Sequence, residues 1–124
     1  TIKFISPCTV YTTIYKDEKK KTYFYNPLEE NFSKFIRQNL INKYTAFNGR
    51  EPDDCSFEII PESFNSFRQV TTRYKNEFLI KAYEGKFIIK GGMELLKIGY
   101  NAGLGGKNGQ GFGEFEFIWG GERC

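Results

Sequence analysis

Hydrophobic spacing changes several times along this 124-residue chain, and each change marks an element. From Ile2 to Tyr15 the residues are rich in Thr, Ile, Val and Tyr, the composition of a strand. Ser6-Pro7 near its start suits an edge or a strand entry, since proline lacks the ladder donor. Lys16 to Lys21 reads as a charged, solvated turn, and Thr22 to Tyr25 as the returning arm of a hairpin. Asn26-Pro27 then opens the strongest helix, with Asn26 at the N-cap, Pro27 at the first helical position and Glu29 in the third place of a capping box. Phe32, Phe35, Ile36, Leu40, Tyr44 and Phe47 follow on one face of a 3.6-residue period, and Lys34, Arg37, Gln38 and Asn42 take the other. Asn48-Gly49 supplies the stop.

Strand character resumes from Cys55 to Ile60, ends at Pro61, and returns in pieces at 68–75, 78–83 and 87–90. Lys75-Asn76-Glu77 and Glu84-Gly85 are the expected breaks or bulges. After Gly91-Gly92 a short helix spans Met93 to Tyr100, with Met93, Leu96 and Tyr100 predicted as its apolar stripe. Glu114 to Trp119 closes the chain as an alternating strand. Without the extra hairpin the order is βαββαβ, an α+β, ferredoxin-like (RRM-like) split β-α-β arrangement. It predicts an antiparallel sheet with two helices on one face and the other face free.

Between the second helix and the last strand lies Gly103-Leu104-Gly105-Gly106-Lys107-Asn108-Gly109-Gln110-Gly111-Phe112-Gly113. Six of the chain's 13 glycines fall in these eleven residues. Glycine loses the most backbone entropy on folding, so such a cluster implies positive φ angles or the close approach of another backbone or a phosphate. It matches neither a P-loop, which needs Gly at Asn101 and Ser or Thr at Asn108, nor a dinucleotide fingerprint, which fails at Asn108. A flexible helix-to-strand connection is the plain alternative.

Composition removes whole classes of chemistry. There is no histidine, so the commonest general acid-base group and metal ligand are absent. Cys8, Cys55 and Cys124 are odd in number and lack C-x-x-C spacing, against a zinc site or a disulfide framework and in keeping with a reducing cytoplasm. No cofactor or metal is expected. No apolar run approaches the roughly 20 residues of a membrane span. Net charge is +3, unevenly spread: residues 63–113 hold 8 Lys/Arg against 3 Asp/Glu, and the first 62 residues balance. An excess leading into the glycine loop points to a polyanion, against the alternative of a merely solvated face.

Three blocks resemble the C-terminal half of the CRISPR-associated, repeat-RNA-processing endoribonucleases of the RAMP superfamily. They are the Ser6-Pro7 strand; Asn26-Pro27 with Phe32 and Arg37-Gln38-Asn39-Leu40-Ile41-Asn42-Lys43-Tyr44; and Gly103-x-Gly105-x-Lys107 followed by Gly111-Phe112-Gly113. The resemblance implies one ferredoxin-like domain over 1–124, the second of a tandem pair in a longer protein. It implies metal-independent cleavage by attack of the RNA 2′-hydroxyl on the adjacent phosphate, with a catalytic His typically in the first domain. This chain is therefore expected to bind RNA and not to cut it alone. Expected partners are CRISPR repeat RNA, a homodimer mate or subunits of a CRISPR effector complex, in the cytoplasm and without a membrane.

Within that expectation the RNA-binding residues are Gly103, Gly105, Gly106, Lys107, Asn108, Gly111, Phe112 and Gly113, with backbone N–H groups on phosphate oxygens and Lys107 as a point charge. Phe112 reads first as a peg seating the loop and second as a stacking platform. Arg68, Arg73, Lys75 and Lys81 are the further phosphate contacts, of weight only if they cluster. Tyr23, Tyr25, Tyr74 and Tyr83 could stack bases, though core positions suit most of them. A catalytically silent RAMP-type structural subunit and a plain protein-interaction domain are the competing readings.

Overall fold

The computed structural model describes residues 1–74 and 78–118. The turn at Lys75-Asn76-Glu77, the contact assigned to Lys75, the end of the last strand at Trp119 and Cys124 lie outside those residues. The elements run β1 (Ile2–Phe4), β2 (Tyr11–Lys16), β3 (Lys19–Phe24), α1 (Glu30–Asn48), β4 (Phe57–Pro61), β5 (Phe67–Tyr74), β6 (Phe78–Gly91), α2 (Met93–Ala102) and β7 (Phe115–Phe117). The main sheet has the order β4-β6-β1-β7, all pairs antiparallel, with β5 also on β6. With the β5 arm and the β2-β3 hairpin set aside, this is the predicted ferredoxin-like split β-α-β topology.

Alternation along the strands divides the sheet cleanly. Ile2, Phe4, Phe57, Ile59, Phe87 and Phe115 are buried, and Phe32, Ile36, Leu40 and Leu95 of the helices join them in one core. Fully burying such a side chain contributes roughly 1.5–3 kcal/mol, so this face holds most of the fold's driving force. Lys3, Glu58, Lys86, Lys90 and Glu116 stand exposed between them. In register, Lys3 faces both Lys86 and Glu116, and Glu58 faces Lys90. One sheet face is thus solvated and charged, as expected of an antiparallel sheet covered on one side.

Several boundaries differ from the sequence expectation. The strand signal at 2–15 is two strands, because the chain turns at 5–10 and meets β6 and the glycine loop there through bridges Cys8↔Tyr83 and Thr9↔Gly106. Asn26 does not cap α1; the N-cap is Glu29, one turn later. The capping-box bonds nonetheless form around that preceding turn. Asn26 Oδ1 accepts from the Leu28 N–H at 2.9 Å and Glu29 Oε1 accepts from the Asn26 N–H at 3.0 Å. At the other end Gly49 takes φ 69° and closes onto the Thr45 carbonyl, the left-handed C-cap foreseen at Asn48-Gly49.

The helical faces were predicted too wide for α1 and one position off for α2. Phe32, Ile36, Leu40 and Tyr44 are buried, whereas Phe47 is 76 % exposed and Phe35 lies at the rim, stacked on Tyr25 at 4.9 Å. In α2 the buried residues are Leu95 and Gly99, and Met93 and Tyr100 are exposed. A Cβ at Gly99 would lie 2.8 Å from Leu104 and 3.5 Å from Leu40. A glycine on the packing face is invisible to an apolar-stripe count.

Glu84-Gly85 does not interrupt β6, which pairs continuously with β4 and β5. Gly85 holds φ 130°, and a Cβ there would fall 2.2 Å from the Ser66 carbonyl oxygen. The strand passes Ser66 only because the side chain is missing. Gly85→Ala is expected to cost roughly 2–3 kcal/mol, read as a lowered urea midpoint in equilibrium unfolding; an unchanged midpoint would refute this account of the close approach.

Candidate nucleic-acid interface

The glycine-rich stretch is a built loop, bound on three sides. The Leu104 N–H donates to Gly113 O at 2.9 Å and closes the loop's neck. Gly106 N–H donates to Thr9 O and Gly113 N–H to Pro7 O, both at 2.8 Å, which fastens it to the segment after β1. A 3-10 turn at Asn108–Gln110 forms the tip. Asn108 Nδ2 donates back across the loop to Leu104 O at 3.1 Å and Phe112 O at 2.9 Å.

Most of the glycines answer to the fold. A Cβ at Gly113 would lie 2.1 Å from Leu104 O, at Gly105 2.5 Å from Thr9 O, and at Gly106 2.6 Å from Tyr11 Cε1. Gly103 faces the Asn108 amide at 2.8 Å. Gly109 differs: its φ is not in the left-handed region, and an added Cβ would meet nothing within 4 Å. Both reasons for the cluster hold: Gly103, Gly105, Gly111 and Gly113 take positive φ, and backbone at Gly105 and Gly113 and side chains at Gly103 and Gly106 approach closely, which leaves Gly109 at the tip without a demand from the fold.

Lys43, on α1, holds the loop in shape. Its Nζ donates to Gly103 O at 3.1 Å, to Gly105 O at 3.4 Å and to Asn108 Oδ1. Burial lowers the pKa of this ammonium below the ordinary lysine value, opposed by nearby Cys8. Burial likewise pushes the Cys8 thiol up to about 12, so at neutral pH it is a protonated, inert thiol facing Leu104 O at 3.6 Å. In the sequence Lys43 stands out only as part of the helix-end block; nothing local marks a lysine whose acceptors lie 60 residues away.

Phe112 is buried against Ile80 and Ala82, with Phe24 beside them, in a small second core. It is the peg, not an exposed stacking platform. Lys107 takes a left-handed φ of 56° and lays its Nζ 4.9 Å from the centre of the Tyr11 ring. The backbone N–H groups of Gly105, Lys107, Asn108 and Gly109 find no acceptor among the described residues, whereas those of Gly103, Leu104, Gly106, Gln110, Gly111, Phe112 and Gly113 are used internally. Among the described residues these four donors are unspent, as are the carbonyls of Gly106, Gly109, Gln110 and Gly111.

The basic residues of the β5-β6 arm do not form one patch with it. Arg73 and Lys81 share a face, since Arg73 pairs with Leu79 and Lys81 with Thr71. Tyr83 is on that same face and packs under Phe32, so Arg73 and Lys81 lie opposite the Ile80-Ala82 face that seats Phe112. Arg68 is on the other face and is engaged by Glu84 in an ion pair. Tyr25 and Tyr83 are core residues, and Tyr23 hydrogen-bonds Glu29 through its hydroxyl at 3.1 Å.

A split β-α-β sheet with a glycine-rich loop between its second helix and last strand defines a RAMP-type domain. The family described as "CRISPR associated protein Cas6, C-terminal" matches residues 1–117, and the chain belongs to it. It is 34% identical over 113 residues to the CRISPR-associated endoribonuclease Cas6 1 of Methanocaldococcus jannaschii, covering 90% of this chain and 42% of that protein. It is 30% identical over 111 residues to the CRISPR-associated endoribonuclease Cas6 of Pyrococcus furiosus, covering 89% and 39%. A solved structure of a CRISPR associated protein Cas6 superposes with a TM-score of 0.84 at 33% identity over 95% of this chain and 48% of that one. A second, described as an RAMP protein binding different RNA substrates, gives 0.84 at 26% identity with the same two coverages. The chain thus spans under half the length of these relatives.

Replacing the Lys43 ammonium would strand three acceptors. Lys43→Met, which keeps the apolar stem, is expected to destabilise the fold by about 1.5–3 kcal/mol and to speed amide exchange selectively at 103–113. Uniform exchange at unchanged stability would show that the loop holds its shape without Lys43.

Proposed function

We propose that this chain is an RNA-binding domain, the C-terminal half of a two-domain protein of the Cas6 type, which grips CRISPR repeat RNA through the glycine loop. The observation that carries the reading is the likeness over nearly the whole chain to a RAMP protein described as binding different RNA substrates. The geometry supports it independently of ancestry. A loop fixed from behind by a half-buried ammonium offers unspent N–H donors and Lys107 at its rim, the groups that receive phosphate oxygens. Gly109, which the fold does not require, leaves room at the tip for a bulky anion.

The work assigned to this half is holding and orienting the strand. Cleavage by 2′-hydroxyl attack would need an acid-base group placed at the scissile phosphate. This chain has no His, and its half-buried lysine is spent on the loop. Those groups are assigned to the other half of the proposed two-domain protein.

Fluorescence anisotropy with a labelled repeat RNA across a salt series tests the reading. Affinity is expected to fall with added salt, and Lys107→Ala to flatten the logarithmic slope by about 1 while the circular dichroism spectrum stays that of the parent. Binding indifferent to salt, or a Lys107→Ala slope equal to the parent's, would remove the phosphate cradle.

A further inference from the structure

Asn-Gly occurs twice in the chain, at Asn48-Gly49 and at Asn108-Gly109. The step carries an intramolecular chemistry of its own. The backbone nitrogen that follows an asparagine can close on the side-chain amide carbon, and glycine, with no Cβ, hinders that closure least. The second step stands at the tip of the glycine loop, where the two reacting groups are in opposite conditions. We infer that Asn108 is a latent deamidation site, held silent by Lys43 and freed when the loop opens, and that its conversion switches off the phosphate cradle.

The nucleophile is ready. The Gly109 N–H has no acceptor among the described residues, Gly109 is exposed, and a Cβ added there would meet nothing within 4 Å. The electrophile is not. Asn108 Nδ2 donates to Leu104 O at 3.1 Å and to Phe112 O at 2.9 Å, and its Oδ1 accepts from Lys43 Nζ. Ring closure also needs the Gly109 nitrogen brought alongside the Asn108 side chain, an arrangement that the 3-10 backbone of Asn108–Gln110 does not provide. Reaction therefore waits on opening, and its rate is that of the unfolded chain multiplied by the fraction of time the loop is open. Asn48 is the contrast. Its amide makes one bond, to Tyr44 O at 3.1 Å, at the exposed and fraying end of α1.

The atoms balance with water as the one co-reactant. The Gly109 nitrogen bonds to Asn108 Cγ as the Cγ–Nδ2 bond breaks, and the proton it gives up leaves with the amide nitrogen as ammonia. Water then opens the five-membered imide at one of its two carbonyls. The product is aspartate, or isoaspartate with the chain running through the side-chain carbon. Either product replaces the amide donor by a carboxylate. The two bonds that cross the loop to Leu104 O and Phe112 O are lost. A negative charge then stands beside Lys107 and the unspent N–H groups of Asn108 and Gly109, where it repels a phosphate. That last consequence rests on the reading of the loop as an RNA cradle; the covalent step does not.

Peptide mapping by mass spectrometry of the 124-residue chain, aged in mildly alkaline buffer with and without urea, times both Asn-Gly steps in one sample. In urea, Asn48 and Asn108 are expected to convert alike. In the folded chain Asn108 is expected to fall at least about tenfold behind its urea rate, and Lys43→Met to restore most of that rate with little change at Asn48. Conversion of Asn108 as fast in the folded chain as in urea, or no acceleration in folded Lys43→Met, overturns the guarded site. Should Lys43→Met not fold, exchange of the Gly106 and Gly113 amides of the parent decides: their protection is expected to match the slowing at Asn108 within about tenfold, and a wider gap overturns the proposal. Asn108→Asp, titrated with repeat RNA, is expected to bind about tenfold more weakly than the parent, and equal binding overturns the switch. If the parent itself binds no RNA, the cradle and the switch fall together, and the guarded site stands or falls on the conversion rates alone.

Discussion

The interaction on which the rest depends is the Lys43 ammonium beneath the glycine loop. A half-buried cation is costly unless its donors are filled, and here three acceptors fill them: the Gly103 and Gly105 carbonyls and the Asn108 side chain. Asn108 in turn bonds Leu104 and Phe112 across the loop. One charge on α1 thereby fixes both arms of the connection and its tip. Those carbonyls point inward at the cation, so the loop's N–H groups that are not used internally are left for an outside acceptor. The inward turn of the Gly103 and Gly105 carbonyls follows from where that lysine stands.

The same arrangement explains why the loop is so rich in glycine without being loose. It must pass within van der Waals contact of Thr9 and Tyr11 on one side and of its own neck on the other, and Gly105, Gly106 and Gly113 are the residues at those approaches. Phe112 adds the apolar half of the attachment by entering the small cluster with Ile80 and Ala82. Backbone entropy lost at the glycines is offset by these contacts, and the loop becomes a fixed extension of the sheet.

What could be read from the sequence tracks how local its cause is. The topology was legible because strand alternation, the period of α1 and the stop at Gly49 are each written within one turn or one pleat. The buried face of α2 was not, because it is set by Gly99 fitting Leu104 and Leu40, and a missing side chain leaves no hydrophobic mark. Arg68 looked like a free cation until the register of β5 on β6 placed Glu84 opposite it. Lys43 and Asn39 escaped for the same reason in opposite senses. One has its acceptors far along the chain, and the other has a buried atom with no partner, and neither condition exists until the helix is docked.

These long-range facts also order the surface into unequal parts. The Arg73-Lys81 face and the loop lie on opposite sides of the β5-β6 arm, so a single strand held at the loop would have to pass around the arm's edge to meet both cations. A cavity beside α1, with Tyr11, Phe35, Gln38, Asn39 and Asn42 on its walls, needs no such detour, for Gly106 lines it and Lys107 stands at its rim. A strand of nucleic acid that satisfies the loop's outward donors therefore meets amides and aromatic rings before it meets further positive charge. Phosphate contacts fix position without reading sequence, and flat rings with amide edges read it. The physical consequence of Lys43 drawing the loop toward α1 is that free N–H donors and aromatic rings with amide edges become neighbours on one surface.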